Sequence, residues 1–213
     1  MTYRLICFDM DGVLLEDMNF WIELHRRFGT YEEGKKLTEK YVSSDYEKLV
    51  REVPERLWKG RDASPYYELV NSIKYMDGVR EVFAFIKKHN LKTAIISGGS
   101  LDVAKRVQKD FGVNYIYANH LVTENNKVTG EYYYPVREGY HFKAQILRDL
   151  CKKLNISTKE VIYIGDSKFD KEAFKEVGLS IAFNCNDKEL KKVASIIVDS
   201  KKLSDIIKVL PSF

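Results

Sequence analysis

Cysteine is scarce in this chain, and long apolar runs are missing from it. Only Cys7, Cys151 and Cys185 occur in 213 residues. Being odd in number and without a Cys-x-x-Cys spacing, they exclude a disulfide framework and predict a protein of the reducing cytoplasm. Cys7 falls inside an apolar run and reads as a small core residue. No stretch approaches the roughly 18 apolar residues that a membrane helix requires, so no membrane partner is expected. Near the N-terminus, Asp9 breaks the apolar run almost at once, so no secretory signal is read there. Charge of one sign is not concentrated either. The net charge is +4 with a pI near 8.7, acids and bases balance across residues 17–76, and no basic stripe stands out. Nucleic acid is therefore not an expected partner. Internal repeats and low-complexity segments are also absent.

What is present is the composition of a globular protein, 45% hydrophobic and 31% charged. The chain is long enough for one large or two small domains. The stretch around which it is organised is Asp9-Met10-Asp11-Gly12-Val13-Leu14, reached directly from the apolar run Leu5-Ile6-Cys7-Phe8. Such a run is the pattern of a strand covered on both faces. Ligands in open parallel sheets bind beyond the carboxyl ends of strands, which is where these two carboxylates fall. A carboxylate can attack phosphorus, a second acid can protonate the departing oxygen, and Mg²⁺ binds through one or two carboxylates plus a substrate phosphate. A calcium loop does not fit, because its fifth position would be Val13 and glycine arrives at the fourth. Aspartates after strands also serve as turn formers and caps, so the pair needs partners elsewhere.

The next strand of this kind is Thr93-Ala94-Ile95-Ile96, running into Ser97-Gly98-Gly99. The gap, residues 9–92, is far longer than the helix of a crossover unit of about 30 residues. Its pattern is helical. Phe20, Leu24 and Phe28 recur at four-residue spacing with Trp21 alongside. A second helix is expected over 31–42. A third opens on a Ser44-x-x-Glu47 capping box, and a fourth on Ser64-Pro65 with Ser64 as the N-cap. Residues 17–76 thus read as a bundle of about four helices inserted into a core of 1–16 and 77–213. The aromatics Trp21, Phe28, Tyr46, Trp58 and Tyr66 read as bundle core. From Asp77-Gly78 onward, strand and helix alternate, with a hairpin around Glu124-Asn125-Asn126-Lys127 and a last helix over 203–209. This alternation predicts an α/β fold, a doubly wound parallel sheet.

A parallel sheet brings its strand ends to one edge. Asp9 and Asp11, Ser97, and Asp166 after Val161-Ile162-Tyr163-Ile164-Gly165 would meet there. Asp9 and Asp166 suit Mg²⁺. Ser97 offers a hydroxyl, Gly98 and Gly99 let backbone N–H groups approach phosphoryl oxygens, and Lys143 can bring a positive charge against them. Charge neutralisation and positioning are what phosphoryl transfer demands.

The ordered elements Asp9-x-Asp11-Gly12, Ser97-Gly98-Gly99, Lys143 and Gly165-Asp166-Ser167-x-x-Asp170 resemble the four motifs of the haloacid dehalogenase superfamily. The helical insert resembles its type 1 cap. The run from Ile95 to about Phe183 is most similar to the phosphoserine phosphatase branch, through Tyr117-Ala118-Asn119, Val128-Thr129-Gly130 and Ile181-Ala182-Phe183. This resemblance implies that Asp9 is the nucleophile and Asp11 the general acid and then base. It implies that Ser97, Gly98 and Lys143 hold the phosphoryl group. Asp9, the backbone carbonyl of Asp11, and Asp166 would bind Mg²⁺, with Asp170 supporting the metal.

The chain departs from the branch at Phe169, where an asparagine is usual. Glu16 stands at a shifted spacing for the substrate-reading glutamate, and Met18 lies nearer the expected place. Arg51, Arg56 and Arg61 are the candidates for the cap arginine. The expected function is a Mg²⁺-dependent phosphomonoester hydrolase acting on a small phosphorylated metabolite, phosphoserine included, under a mobile cap. The alternatives are a phosphosugar mutase and a phosphate-accepting or ligand-sensing module without turnover. The oligomeric state is left open.

Overall fold

A computed structural model describes residues 2–16, 18–41, 44–137 and 141–212. Its centre is the apolar run read first, strand β1 (Leu5–Phe8), every residue of which is buried. Side chains alternate across a strand, so Ile6 and Phe8 enter the core on one face of the sheet while Leu5 and Cys7 enter the core on the other. Both faces are therefore covered by helices, as a continuous apolar run requires.

Chain order after the insert is α5 (Val79–Lys88), β2 (Lys92–Ser100), α6 (Leu101–Phe111), β3 (Tyr115–Glu124) and β4 (Lys127–Tyr133). Then come α7 (Phe142–Leu154), β5 (Val161–Gly165), α8 (Lys171–Glu176), β6 (Leu179–Phe183), α9 (Lys188–Val193) and β7 (Ile196–Val198). The sheet order is β4-β3-β2-β1-β5-β6-β7. All neighbours are parallel except the β3–β4 hairpin at one edge. Asn125 and Asn126 both take positive φ, 50° and 59°, the backbone a two-residue turn of this hand demands. Helices α5 and α6 cover one face; α7, α8 and α9 cover the other. The doubly wound sheet of the sequence reading is thus the fold.

Between β1 and β2 the chain forms α1 (Phe20–Arg27), α2 (Tyr31–Tyr41), α3 (Tyr46–Glu52), a π-helical turn (Val53–Trp58) and α4 (Ser64–Ser72). Asp17, the expected start of this insert, and Val42, the expected end of its second helix, lie outside the described residues. Several local expectations differ from the structure. The N-cap of α3 is Asp45, whose carboxylate accepts from Lys48 N at 3.0 Å; Ser44 Oγ instead donates back to Lys40 O at 2.9 Å. Ser64 is already helical, and its N–H is taken by Asp62 Oδ1 at 2.8 Å. A nearby carboxylate thus outcompetes the serine at both starts. The last helical stretch (Leu203–Val209) is 3₁₀ rather than α.

The hairpin reaches across to the insert. Gly60 N donates to Val128 O, Val128 N to Arg61 O, and Ala63 N to Asn126 O, all at 2.8–3.0 Å. Within the insert, Gly34 of α2 packs its bare Cα against the His25 imidazole, where a Cβ would overlap the ring. His25 Nδ1 shares a hydrogen bond with Thr30 Oγ1 at 2.8 Å, and Trp58 Nε1 donates to the same oxygen at 3.2 Å.

Candidate active site

Asp9 follows the last residue of β1, and its N–H donates to Ile164 O on β5 at 2.9 Å. The side chain therefore leaves the sheet at its carboxyl edge, between two strand ends. Oδ1 accepts from Met10 N at 2.7 Å, and Oδ2 accepts from Lys143 Nζ at 2.5 Å. Lys143, in the first turn of α7, is only 4% exposed. Its ammonium also donates to Asp170 Oδ1 at 2.7 Å. Asp170 is fully buried and accepts from Tyr163 Oη, Asp166 N and Ser167 N, each at 3.2 Å. Carboxylate oxygens of Asp9, Asp166 and Asp170 lie within 4.8 Å of one another.

A buried ion cluster of this kind is stable only if every member is paired. Burial works against the Lys143 ammonium, but the carboxylates of Asp170 and Asp9 outweigh it and hold its pKa above the ordinary lysine value. Burial pushes the Asp170 carboxyl up to about 6; Lys143 opposes that shift, and the neighbouring charge of Asp9 adds to it.

The opposite wall is the end of β2. Ser97 is buried, and its Oγ accepts from Gly99 N at 3.1 Å. The Gly98 carbonyl is held twice, by Asn119 Nδ2 at 3.1 Å and by Trp21 Nε1 of the insert at 2.9 Å. Asn119 is itself locked to the backbone N–H and carbonyl of Val136. Asp11 lies over this loop, since a Cβ on Gly99 would come 2.7 Å from its Oδ2. At Gly12, φ is +77° and a Cβ would collide with the Asp166 carboxylate. Glycine is needed there both for the turn and for the approach of Asp166.

Of these groups, Asp9, Asp11, Ser97, Asn119, Lys143 and Asp166 line one cleft of about 280 Å³. Hard oxygen donors on Asp9 and Asp166 suit a small divalent cation. Asp170 is less available, being committed to Lys143 and two backbone N–H groups.

A family model for haloacid dehalogenase-like hydrolases matches residues 3–178. The chain belongs to that family.

Among its relatives are a phosphoserine phosphatase of Archaeoglobus fulgidus, 31% identical over 97% of this chain, and one of Campylobacter jejuni subsp. doylei, 30% identical over 97%. The chain spans 60% of the first relative's length and 99% of the second's. A solved structure described as a phospho-aspartyl intermediate analogue of phosphoserine phosphatase superposes with a TM-score of 0.82 at 27% identity, covering 99% of this chain and all of that one. No helix of the described residues is long and apolar enough to cross a membrane.

Of the residues expected from sequence, the fold gathers Asp9, Asp11, Ser97, Gly98, Lys143 and Asp166 around the cleft, with Asp170 directly beneath. None of the four substrate-reading candidates Glu16, Arg51, Arg56 and Arg61 lines the cleft, and that expectation is corrected; Met18, nearer the expected place, does line it. Glu16 is exposed in a separate groove beside Arg26 and Arg27. It is turned away because Leu15 bridges to Tyr75 and Glu16 N donates to Lys74 O. Arg51 is exposed on α3. Arg56 pairs with Glu52 one turn back at 2.5 Å and stays solvated. Arg61 caps α1 through the Phe28 carbonyl at 2.7 Å.

Two residues that line or support this haloacid dehalogenase-type site, Arg137 and Tyr163, were not singled out, and Trp21, read as bundle core, lines the cleft instead. Trp21 stands one position beyond the Phe20, Leu24 and Phe28 stripe of α1, about 100° round the helix from Phe20. Arg137 lines the cleft from the segment after β4, and Tyr163 hides inside an apolar strand.

Proposed function

We propose that the chain is a Mg²⁺-dependent phosphomonoester hydrolase that forms an aspartyl-phosphate on Asp9 and acts on a small phosphorylated metabolite. The observation that carries this reading is Lys143, buried between Asp9 and Asp170 with Asp166 alongside. Such an arrangement pairs a nucleophile with a cation at a crevice open to substrate. Residues 17–76 serve as a cap over the core of 1–16 and 77–213. Asp9 and Asp166 would hold Mg²⁺, whose charge offsets that of the phosphoryl oxygens.

Ser97 Oγ and the N–H groups of the following glycines orient the phosphoryl group, and Lys143 neutralises it. An Asp9 carboxylate oxygen attacks phosphorus, and the bond from phosphorus to the ester oxygen breaks. Asp11 gives its proton to the departing alkoxide. The Asp11 carboxylate then takes a proton from water as that water attacks phosphorus, and the phosphorus–Asp9 bond breaks to release phosphate.

The names of the relatives make phosphoserine the first ester to try. Three buried thiols suit the cytoplasm. The test is phosphate release with Mg²⁺ by Asp9→Asn against the parent. Activity should vanish in the folded variant; retained turnover would refute Asp9 as nucleophile.

A further inference from the structure

Of the insert's aromatics, Phe28, Trp58 and Tyr66 are core, as expected, but Trp21 and Tyr46 are not fully buried and line the active-site cleft. Behind them lies a second cavity of about 180 Å³, which shares Trp21 and Tyr46 with the cleft. It continues between Val50, Val53, Trp58 and Tyr132.

We propose that cleft and cavity together form an aromatic leaving-group subsite, and that the substrate is a phosphomonoester of an uncharged alcohol bearing a flat ring. This inference rests on the phosphatase reading above and selects among its substrates. The wall is held rigid before any ligand arrives. The Trp21 indole N–H is fixed to Gly98 O at 2.9 Å, and its ring meets Phe20 and Tyr132 edge-on at 5.0 and 5.1 Å between centroids. A surface already ordered loses little freedom on binding, and ring edges and faces are the partners that a flat group seeks.

Charge is distributed in the same sense. Apart from Asp9, Asp11, Lys143 and Asp166, the one charged side chain lining the cleft among the described residues is Arg137. It is already paired with Glu47 at 2.8 Å and seated over the Tyr134 and Phe142 rings. Within the cavity, burial lowers the His25 pKa to about 4, leaving the imidazole neutral at neutral pH. An ammonium or a carboxylate entering the cavity would lose water with no charged partner among the described residues that line it, which is unfavourable. A ring would exchange water for apolar surface, which is favourable.

The experiment compares benzyl phosphate, ethyl phosphate and phosphoserine, all esters of poor alkoxide leaving groups, by phosphate release with Mg²⁺. It is paired with equilibrium binding of benzylphosphonate and ethylphosphonate, which needs no turnover. Benzyl phosphate should exceed the other two in kcat/KM by about tenfold or more, and benzylphosphonate should bind tighter than its ethyl counterpart by a similar factor. Val50→Phe, which fills the cavity without touching the core loops, should collapse both benzyl-to-ethyl ratios. Should that variant not fold, Leu49→Ala, which enlarges the cavity, should raise the ratios for naphthylmethyl over benzyl compounds. Equal binding of the two phosphonates, or ratios indifferent to the variant that folds, overturns the subsite. A preserved binding preference with no phosphate released from any ester overturns the hydrolase reading instead and leaves the subsite standing.

Discussion

Replacing Lys143 by methionine keeps the unbranched stem and removes only the charge. In the parent, the ammonium is the shared cation of Asp9 at 2.5 Å and Asp170 at 2.7 Å, with Asp166 close by. Taking one partner out of a buried ion pair destabilises by about 3–5 kcal/mol, because the remaining charges are left uncompensated. For a chain of this size, one kcal/mol moves the melting temperature by roughly 2–4 °C. Metal-free Lys143→Met should therefore melt roughly 6–20 °C below the parent at pH 8.

The deficit should depend on pH in a definite direction. Asp170 already titrates at about 6 beside Lys143, and without the cation it moves higher. A carboxyl raised above its unfolded value of about 3.9 favours the folded state below that value and loses the advantage as pH rises through the folded one. The gap between variant and parent should thus narrow at pH 5 and widen at pH 8. Adding Mg²⁺ at pH 8 should recover part of it, since a ligand of the folded state stabilises by mass action. Melting curves followed by circular dichroism, with chelator and with Mg²⁺, give all four values. A deficit that is equal at both pH values, or larger in acid, would refute the argument.

Gly12→Ala forces a Cβ onto the Asp166 carboxylate at a φ that disfavours it by about 1–2 kcal/mol; calorimetry should show weakened Mg²⁺ binding, and unaltered affinity would count against Asp166 as a ligand. Gly34→Ala should destabilise by about 1–2 kcal/mol in urea titration, because overpacking against His25 outweighs the gain of up to about 1 kcal/mol that alanine brings to a helix. A stabilised variant would show that the imidazole yields. His25 has its pKa lowered to about 4, below the unfolded value near 6.5. The stability it contributes is present above that value and declines, by on the order of 2 kcal/mol, as pH falls toward 4. His25→Gln should lack this part of the acid loss, as read from urea midpoints between pH 7 and 4.5.

Motif order and strand ends sufficed to place Asp9, Ser97, Lys143 and Asp166, because a parallel sheet carries its strand ends to one edge whatever the loops do. The doubly wound sheet followed from the alternation of strand and helix after Asp77-Gly78, and the apolar run of β1 marked a strand covered on both faces. Residues set by tertiary turns were harder to read. Glu16 lay within the right few residues of the first motif, yet one backbone bond to Lys74 sends it into another groove. Arg56 had an ordinary local partner in Glu52, and spacing alone does not show which face of a helix meets the cleft. Trp21 looked like core because aromatic side chains in helical bundles usually are. Its indole N–H needed an acceptor, and that acceptor came from a loop 77 residues away.

The hairpin that stitches itself to the insert through Gly60, Arg61 and Ala63 changes what opening can mean here. A hatch on two hinges could swing at residues 15–16 and 74–77 alone. This one has a third attachment, made of main-chain bonds that a swing would tear. If the insert opens as the proposed function requires, it must either break those bonds or take β4 with it, so that the edge of the sheet would bend along with the linkers.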